Sequence, residues 1–146
     1  VVAIGTGGRD IPPASALAHV FGYAVGLDLT RRDLQFDARE HGRPWDVAKG
    51  FDCSAPVSAI RPAAEVGHPE QGAIWLEVNG ETRQRANLSE MIWNVPEIVA
   101  ELSTYFELRP GDLIYTGTPE GVGPVQRGDS LVGGIDGLET LRITIV

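Results

Sequence analysis

This 146-residue chain has one cysteine, one methionine and, among its twelve basic residues, one lysine. A lone thiol, Cys53, cannot close an internal disulfide, so the fold has to be held by packing, and a small buried apolar position is expected for it. No apolar run approaches the ~18 residues that a membrane span requires, and none has the layout of a signal peptide. Positive charge is also short: the formal net charge is −8, which argues against a nucleic-acid surface. The three histidines, His19, His41 and His68, have no metal-ligand spacing among them. A Gly-x-Ser-x-Gly elbow is absent, and Ser89 and Ser103 have no adjacent base, so covalent hydrolase chemistry has no support. The expected class is a soluble cytoplasmic protein with no membrane and no nucleic-acid partner.

A chain of this length buries roughly two thirds of its unfolded surface, which is enough for a substantial core. Eighteen glycines and ten prolines point to many turns and a β-rich core rather than a helical bundle. No linker composition or internal repeat divides the chain, so one domain over residues 1–146 is expected. Its opening, Val1 to Ile4, reads as the middle or end of a strand with no initiator methionine, and an N-terminal part is expected to be missing.

Several elements are readable locally. Ala14 to Val20 has helical period, and Phe21 to Leu29 is apolar, aromatic and β-compatible, so it reads as a strand. Thr30 followed by Asp33 resembles a capping box with Asp in place of Glu. A short strand is expected at Val57 to Ile60. The segments on either side of Asn79-Gly80 form a hairpin, since Asn-Gly supplies the two positive-φ residues of a type I′ turn. Asn94, with Pro96 close behind, starts a helix running to about Tyr105, and Ile98, Val99, Leu102 and Phe106 give it an apolar stripe. Leu113 to Thr116 is a short strand. Two final strands, Leu131 to Ile135 and Thr140 to Val146, flank Asp136-Gly137.

Chemistry concentrates where the Phe21–Leu29 strand turns into a helix. Asp28 stands at the strand's exit, and Arg32 and Gln35, three apart, share a helix face close to it. Such a corner suits an oxygen-ligand metal beside an anion-binding arm, or simply a helix cap with a surface salt bridge. Lys49, in a chain that otherwise uses arginine, suggests a place where a compact, mobile ammonium is wanted. Thr116 to Gly123 is glycine-rich after a strand, yet no lysine follows the glycines and the spacing matches no nucleotide fingerprint. Two readings of it stay open: a tight turn between core strands, or backbone N–H groups and the Thr118 hydroxyl arranged around one carboxylate. A hard cation such as Mg²⁺ or Mn²⁺ takes an octahedron of oxygens, of which Asp28 can supply one.

Taken in order, these pieces resemble a known family. Phe21-Gly22-Tyr23 through Asp28 to Gln35, then Pro44-Trp45 through Lys49-Gly50-Phe51-Asp52, Val78-Asn79-Gly80, Leu88 to Ile92, Arg109 to Asp112, and Thr116 to Pro119 with Gly121-Val122-Gly123 are similar to the fumarylacetoacetate hydrolase family over nearly the whole chain. The loops Gly42 to Trp45, Lys49 to Asp52 and Ile92 to Glu97 are similar, within it, to bacterial enzymes that hydrolyse fumarylpyruvate in gentisate breakdown. The resemblance implies an α+β, β-rich fold, a rolled mixed β-sheet with short peripheral helices, usually a homodimer, with a Mg²⁺ or Mn²⁺ site. It makes Asp28 a metal ligand. Arg32, Gln35 and Lys49 become substrate contacts, Lys49 also a catalytic group, and Gly117 with Thr118 the turn that receives the substrate's carboxylate. The substrate implied is a small anionic keto acid: an acylpyruvate cleaved to pyruvate and a carboxylic acid, or alternatively oxaloacetate losing CO₂. The family's Glu-x-Glu metal pair and its water-activating histidine and glutamate belong before Val1, so a catalytically silent domain is the third reading if no Glu-x-Glu precedes this residue.

Overall fold

The computed structural model describes residues 1–146. Eight strands form two four-stranded sheets in which every pairing is antiparallel. The first sheet has the order β3-β2-β1-β6, built from β1 (Val2–Ile4), β2 (Val20–Tyr23), β3 (Arg61–Pro62) and β6 (Leu113–Ile114). The second has the order β5-β4-β7-β8, built from β4 (Ala73–Val78), β5 (Glu81–Asn87), β7 (Ser130–Ile135) and β8 (Leu141–Thr144). Short helices surround them: α1 (Arg32–Glu40), α2 (Asp46–Lys49), α3 (Ala63–Val66) and α4 (Val95–Tyr105), with 3₁₀ turns at Pro13–His19 and Leu88–Glu90. The α+β, β-rich class and the peripheral helices are as expected. The mixed sheet is not: within these residues the strands form two antiparallel sheets, because neighbouring strands join through hairpins and returns rather than through βαβ crossovers.

The core is assembled from distant parts of the chain. Val2, Ile4, Val20, Tyr23 and Ile114 of the first sheet pack with Ile11 and Ala16, with Val99 of α4 and with Leu108. In the second sheet Val78, Leu131 and Leu141 are buried. Both sheets meet the segment that leaves β2, since Gly133 of β7 lies against Val25 and Leu27.

That segment explains where a nine-residue strand becomes a four-residue one. Beyond Tyr23 the chain stays tethered, but by separate bonds: Ala24 N–H donates to the Val1 carbonyl, Leu27 N–H to Pro56 and Leu29 N–H to Ser54. The Val25 N–H is taken by the Ser58 hydroxyl at 3.0 Å, a side chain standing in for a ladder carbonyl. For the same reason Val57 is reduced to an isolated bridge with Gly26, and the regular strand expected at Val57 to Ile60 appears later, as β3. Cys53 also departs from expectation. It occupies a left-handed turn at φ 61° and is exposed rather than buried.

Local chemistry was decisive elsewhere. Asn79 at φ 54° and Gly80 at φ 81° join β4 to β5 as the Asn-Gly dipeptide dictates. At α4 the Asn94 side chain accepts from Glu97 N–H at 2.9 Å, and the Glu97 carboxylate accepts from Asn94 N–H at 2.8 Å, a complete capping box. Because α4 carries Val99 into the core, Asn94→Ala is expected to destabilise the protein by about 1 kcal/mol, a fall in Tm of roughly 2–4 °C for a domain of this size. Differential scanning calorimetry checks this, and an unchanged Tm would mean that the cap contributes nothing to the folded state.

Candidate functional site

Asp28 stands where the tethered segment after β2 turns towards α1, and its side chain is half exposed. Lys49, the last residue of α2, reaches back across 21 residues so that Nζ donates to Asp28 Oδ2 at 2.6 Å. A second donation goes from Nζ to the Thr30 hydroxyl at 3.0 Å. An ammonium has three hydrogens, so one is left for a further acceptor. Thr30 is therefore not the helix cap that its spacing to Asp33 suggests. The N-cap position falls at Arg31 with no side-chain cap bond, while the Thr30 hydroxyl donates to the Asp28 carbonyl at 3.2 Å and accepts from Lys49. The competition for that oxygen is won by a charged donor, which makes the stronger hydrogen bond.

The placement of Lys49 depends on α2 being held against α1. Arg31 N–H donates to the Ala48 carbonyl at 3.0 Å, and the Arg31 guanidinium lies 4.5 Å from the centre of the Phe51 ring. At the first position of α1, exposed Arg32 donates from Nη1 to the Oε1 of buried Gln35, one turn further on, at 2.6 Å. The spacing-based prediction that they share a face holds. Gln35 fixes one edge of the guanidinium fork and leaves its other N–H groups to a ligand.

Thr118 is held from the second sheet. Its hydroxyl accepts from the Nε2 of Gln84 at 2.8 Å, and the same amide nitrogen donates to the Pro119 carbonyl at 2.6 Å. Tyr115, three residues before Thr118, has its ring against Gly26, and its hydroxyl donates to the Ala55 carbonyl at 2.7 Å. Burial, and then the negative charge of Asp28, push the Tyr115 phenol above its usual range, so it stays protonated and keeps that bond at neutral pH. No hydrogen bond joins Arg32 or Thr118 directly to Lys49. The contacts of Arg32 are with Gln35, those of Lys49 with Asp28 and Thr30, and those of Thr118 with Gln84.

Gln84 and Tyr115, and the contact of Thr30 with Lys49, are what reading along the chain overlooks. For Gln84 a signal exists: it is the one buried position of β5, and a polar amide on the inward face of a hairpin needs partners. For Thr30 and Tyr115 there is none, since both partners lie in another segment.

As to a divalent cation, no three His, Cys, Asp or Glu side chains come together in a group that could hold one. Asp28 has the chemistry of an oxygen donor: it is accessible, and its Oδ1 is not engaged in a hydrogen bond.

The family described as fumarylacetoacetate (FAA) hydrolase C-terminal matches residues 1–146. This chain belongs to that family. It is 52% identical over 145 residues to a fumarylpyruvate hydrolase of Ralstonia sp, covering 99% of this chain and 75% of the relative. It is 44% identical over 144 residues to a mitochondrial oxaloacetate tautomerase of Mus musculus, covering 99% of this chain and 65% of the relative. Among solved structures, the fumarylpyruvate hydrolase of Pseudomonas aeruginosa in complex with Mn²⁺ and pyruvate superposes with a TM-score of 0.97 at 58% identity, covering 99% of this chain and 62% of that one. The chain therefore spans 62–75% of the length of these family members.

Proposed function

We propose that this family member cleaves a carbon–carbon bond of an acylpyruvate by hydrolysis, fumarylpyruvate fitting best, to release pyruvate and a carboxylic acid in aromatic-compound catabolism. The observation that carries the reading is the Lys49–Asp28–Thr30 arrangement: the chain's one ammonium is directed into a corner with a half-exposed carboxylate and keeps a hydrogen to give. The Ralstonia and Pseudomonas relatives, named as fumarylpyruvate hydrolases, support the choice of substrate.

In this reading Asp28 contributes one ligand to Mg²⁺ or Mn²⁺, the metal with which the Pseudomonas enzyme was crystallised. Bound there, the cation supplies Lewis-acid polarisation of the keto-acid oxygens. Register points to where its other ligands would come from. Val2 pairs with Tyr23 and Val1 with Ala24 in antiparallel order, so residues preceding Val1 in a longer chain would run alongside Gly26 to Asp28.

The chain's own residues hold and orient the substrate. Thr118, with the Gly117 backbone, receives the carboxylate of the pyruvate half, and Arg32, steadied by Gln35, neutralises anionic charge. Water adds to the distal carbonyl, the bond between that carbon and the pyruvate methylene breaks, and the electron pair stays with the pyruvate half as an enolate. Lys49 stands ready to stabilise that charge and to return a proton when the enolate becomes pyruvate. The negative average charge of the surface is no obstacle, because a divalent ion and an ammonium dominate the local field. A homodimer is the expected assembly.

A second reading is oxaloacetate chemistry at the same corner, favoured by the tautomerase relatives at 44% identity. Tautomerisation needs the same enolate stabilisation with a proton shuttled instead of a bond broken, and decarboxylation needs it with CO₂ as the departing group. A coupled assay separates the three: pyruvate release from fumarylpyruvate, maleylpyruvate and oxaloacetate, with and without Mg²⁺ or Mn²⁺, beside the enol absorbance of oxaloacetate. Cation-dependent pyruvate release from an acylpyruvate is expected. Enol–keto conversion alone would sink the hydrolase reading.

A further inference from the structure

We infer that Gln84 is a positioning residue for the substrate carboxylate, acting through the Thr118 hydroxyl. The inference rests on the proposed role of Thr118 in receiving that carboxylate. Gln84 is 8% exposed, and its Nε2 uses its two hydrogens on Thr118 Oγ1 and on the Pro119 carbonyl. A hydroxyl can both accept and donate. Once its oxygen accepts from an amide, its own hydrogen has to point elsewhere, and Thr118 donates to no protein acceptor. The Gln84 contact therefore turns an ambivalent group into an oriented donor, which suits an anion. The accepted bond also polarises the O–H and strengthens what it gives.

The loop's backbone is gripped at the same place. Gly121, at φ 96°, packs so closely on the carbonyl of Arg83 that a Cβ there would collide with it. Adjacent residues of β5 thus hold Pro119 and Gly121 on either side of the turn, and the second sheet, which carries none of the other proposed site residues, sets the direction of the Thr118 hydrogen.

Gln84→Met keeps the length and packing of the side chain and removes both donations. Gln84→Glu replaces the donor with an acceptor that draws the Thr118 hydrogen back towards β5. The test uses the full-length protein loaded with Mn²⁺ and compares binding of pyruvate with binding of its neutral methyl ester by titration calorimetry. A charge-assisted bond is about twice as strong as a neutral one, so pyruvate binding is expected to weaken about tenfold in Gln84→Met and more in Gln84→Glu, with the ester changing no more than about threefold. Loss of both ligands to the same extent would mean a collapsed loop and would overturn the inference. In a cycle with Thr118→Ala, the two losses are expected not to add; additive losses would overturn it too. If Thr118→Ala leaves pyruvate binding unchanged, the reading of Thr118 itself fails and the inference with it. If Thr118→Ala weakens binding and Gln84→Met does not, only the inference fails. Should both Gln84 variants fail to fold, the wild-type protein with Mg²⁺ decides: the side-chain amide resonance of Gln84 is expected to move on adding pyruvate far more than on adding the ester, and a resonance that ignores pyruvate overturns the inference.

Discussion

Replacing Asp28 with alanine is expected to remove divalent-cation-dependent cleavage, with turnover falling by about 10²–10³-fold or more, while the protein stays folded. Two observations separate these effects. The Asp28 side chain is 52% exposed and Lys49 34%, so their ion pair is screened by water and contributes at most about 1 kcal/mol to stability. No other side chain depends on the carboxylate for a hydrogen bond. On the chemical side, losing a group that stabilises developing charge typically costs 10²–10³-fold. Asp28→Asn keeps the shape and removes the charge, so it is expected to weaken Mn²⁺ binding and to leave Lys49 with a neutral acceptor in place of its counter-charge. Circular dichroism, Mn²⁺ titration and pyruvate release form the check. Near-wild-type activity of Asp28→Ala at saturating Mg²⁺ would withdraw Asp28 from the metal site.

For Lys49→Met the expected result is a fall in kcat of about 10²-fold, with folding and Mn²⁺ affinity much less affected. Nζ has to satisfy two fixed acceptors, 2.6 and 3.0 Å away, and, in the proposed reaction, still present a hydrogen to the enolate. A tetrahedral ammonium at the end of a flexible stem can do so, whereas arginine's planar fork projects its donors in one plane. Lys49→Arg is therefore expected to preserve the positive charge without restoring activity to within about tenfold of wild type. Single-turnover measurement of pyruvate formation, which isolates chemistry from product release, decides it. If Lys49→Arg were fully active, charge alone would be sufficient and the geometric argument for lysine would be wrong.

Much of the fold is legible along the chain, because turns and caps are contacts between near neighbours. Asn79-Gly80 specified its hairpin, Asn94 with Glu97 its helix start, and Arg32 with Gln35 its shared face. Misreadings arose where a local pattern met a competitor from elsewhere. Thr30 and Asp33 have cap spacing, but Lys49 takes the Thr30 hydroxyl. The Phe21–Leu29 segment has strand composition, but the Ser58 hydroxyl interrupts its ladder. Cys53 has the chemistry of a buried residue, but a left-handed turn exposes it.

By itself the sequence determined the α+β class, both Asn-Gly and Asn-capped boundaries, and the identity of the charged and polar groups at the corner after Leu27. It also singled out Lys49, as the only lysine, without saying what that ammonium would touch. The tertiary structure decided the partnerships: Lys49 with Asp28 across 21 residues, Gln84 with Thr118 across 34, and Tyr115 with Ala55 across 60. The physical reason is that periodicity and capping report on one or two turns of chain. Which distant donor meets which acceptor depends on how the two sheets and α2 pack around the segment that carries Asp28.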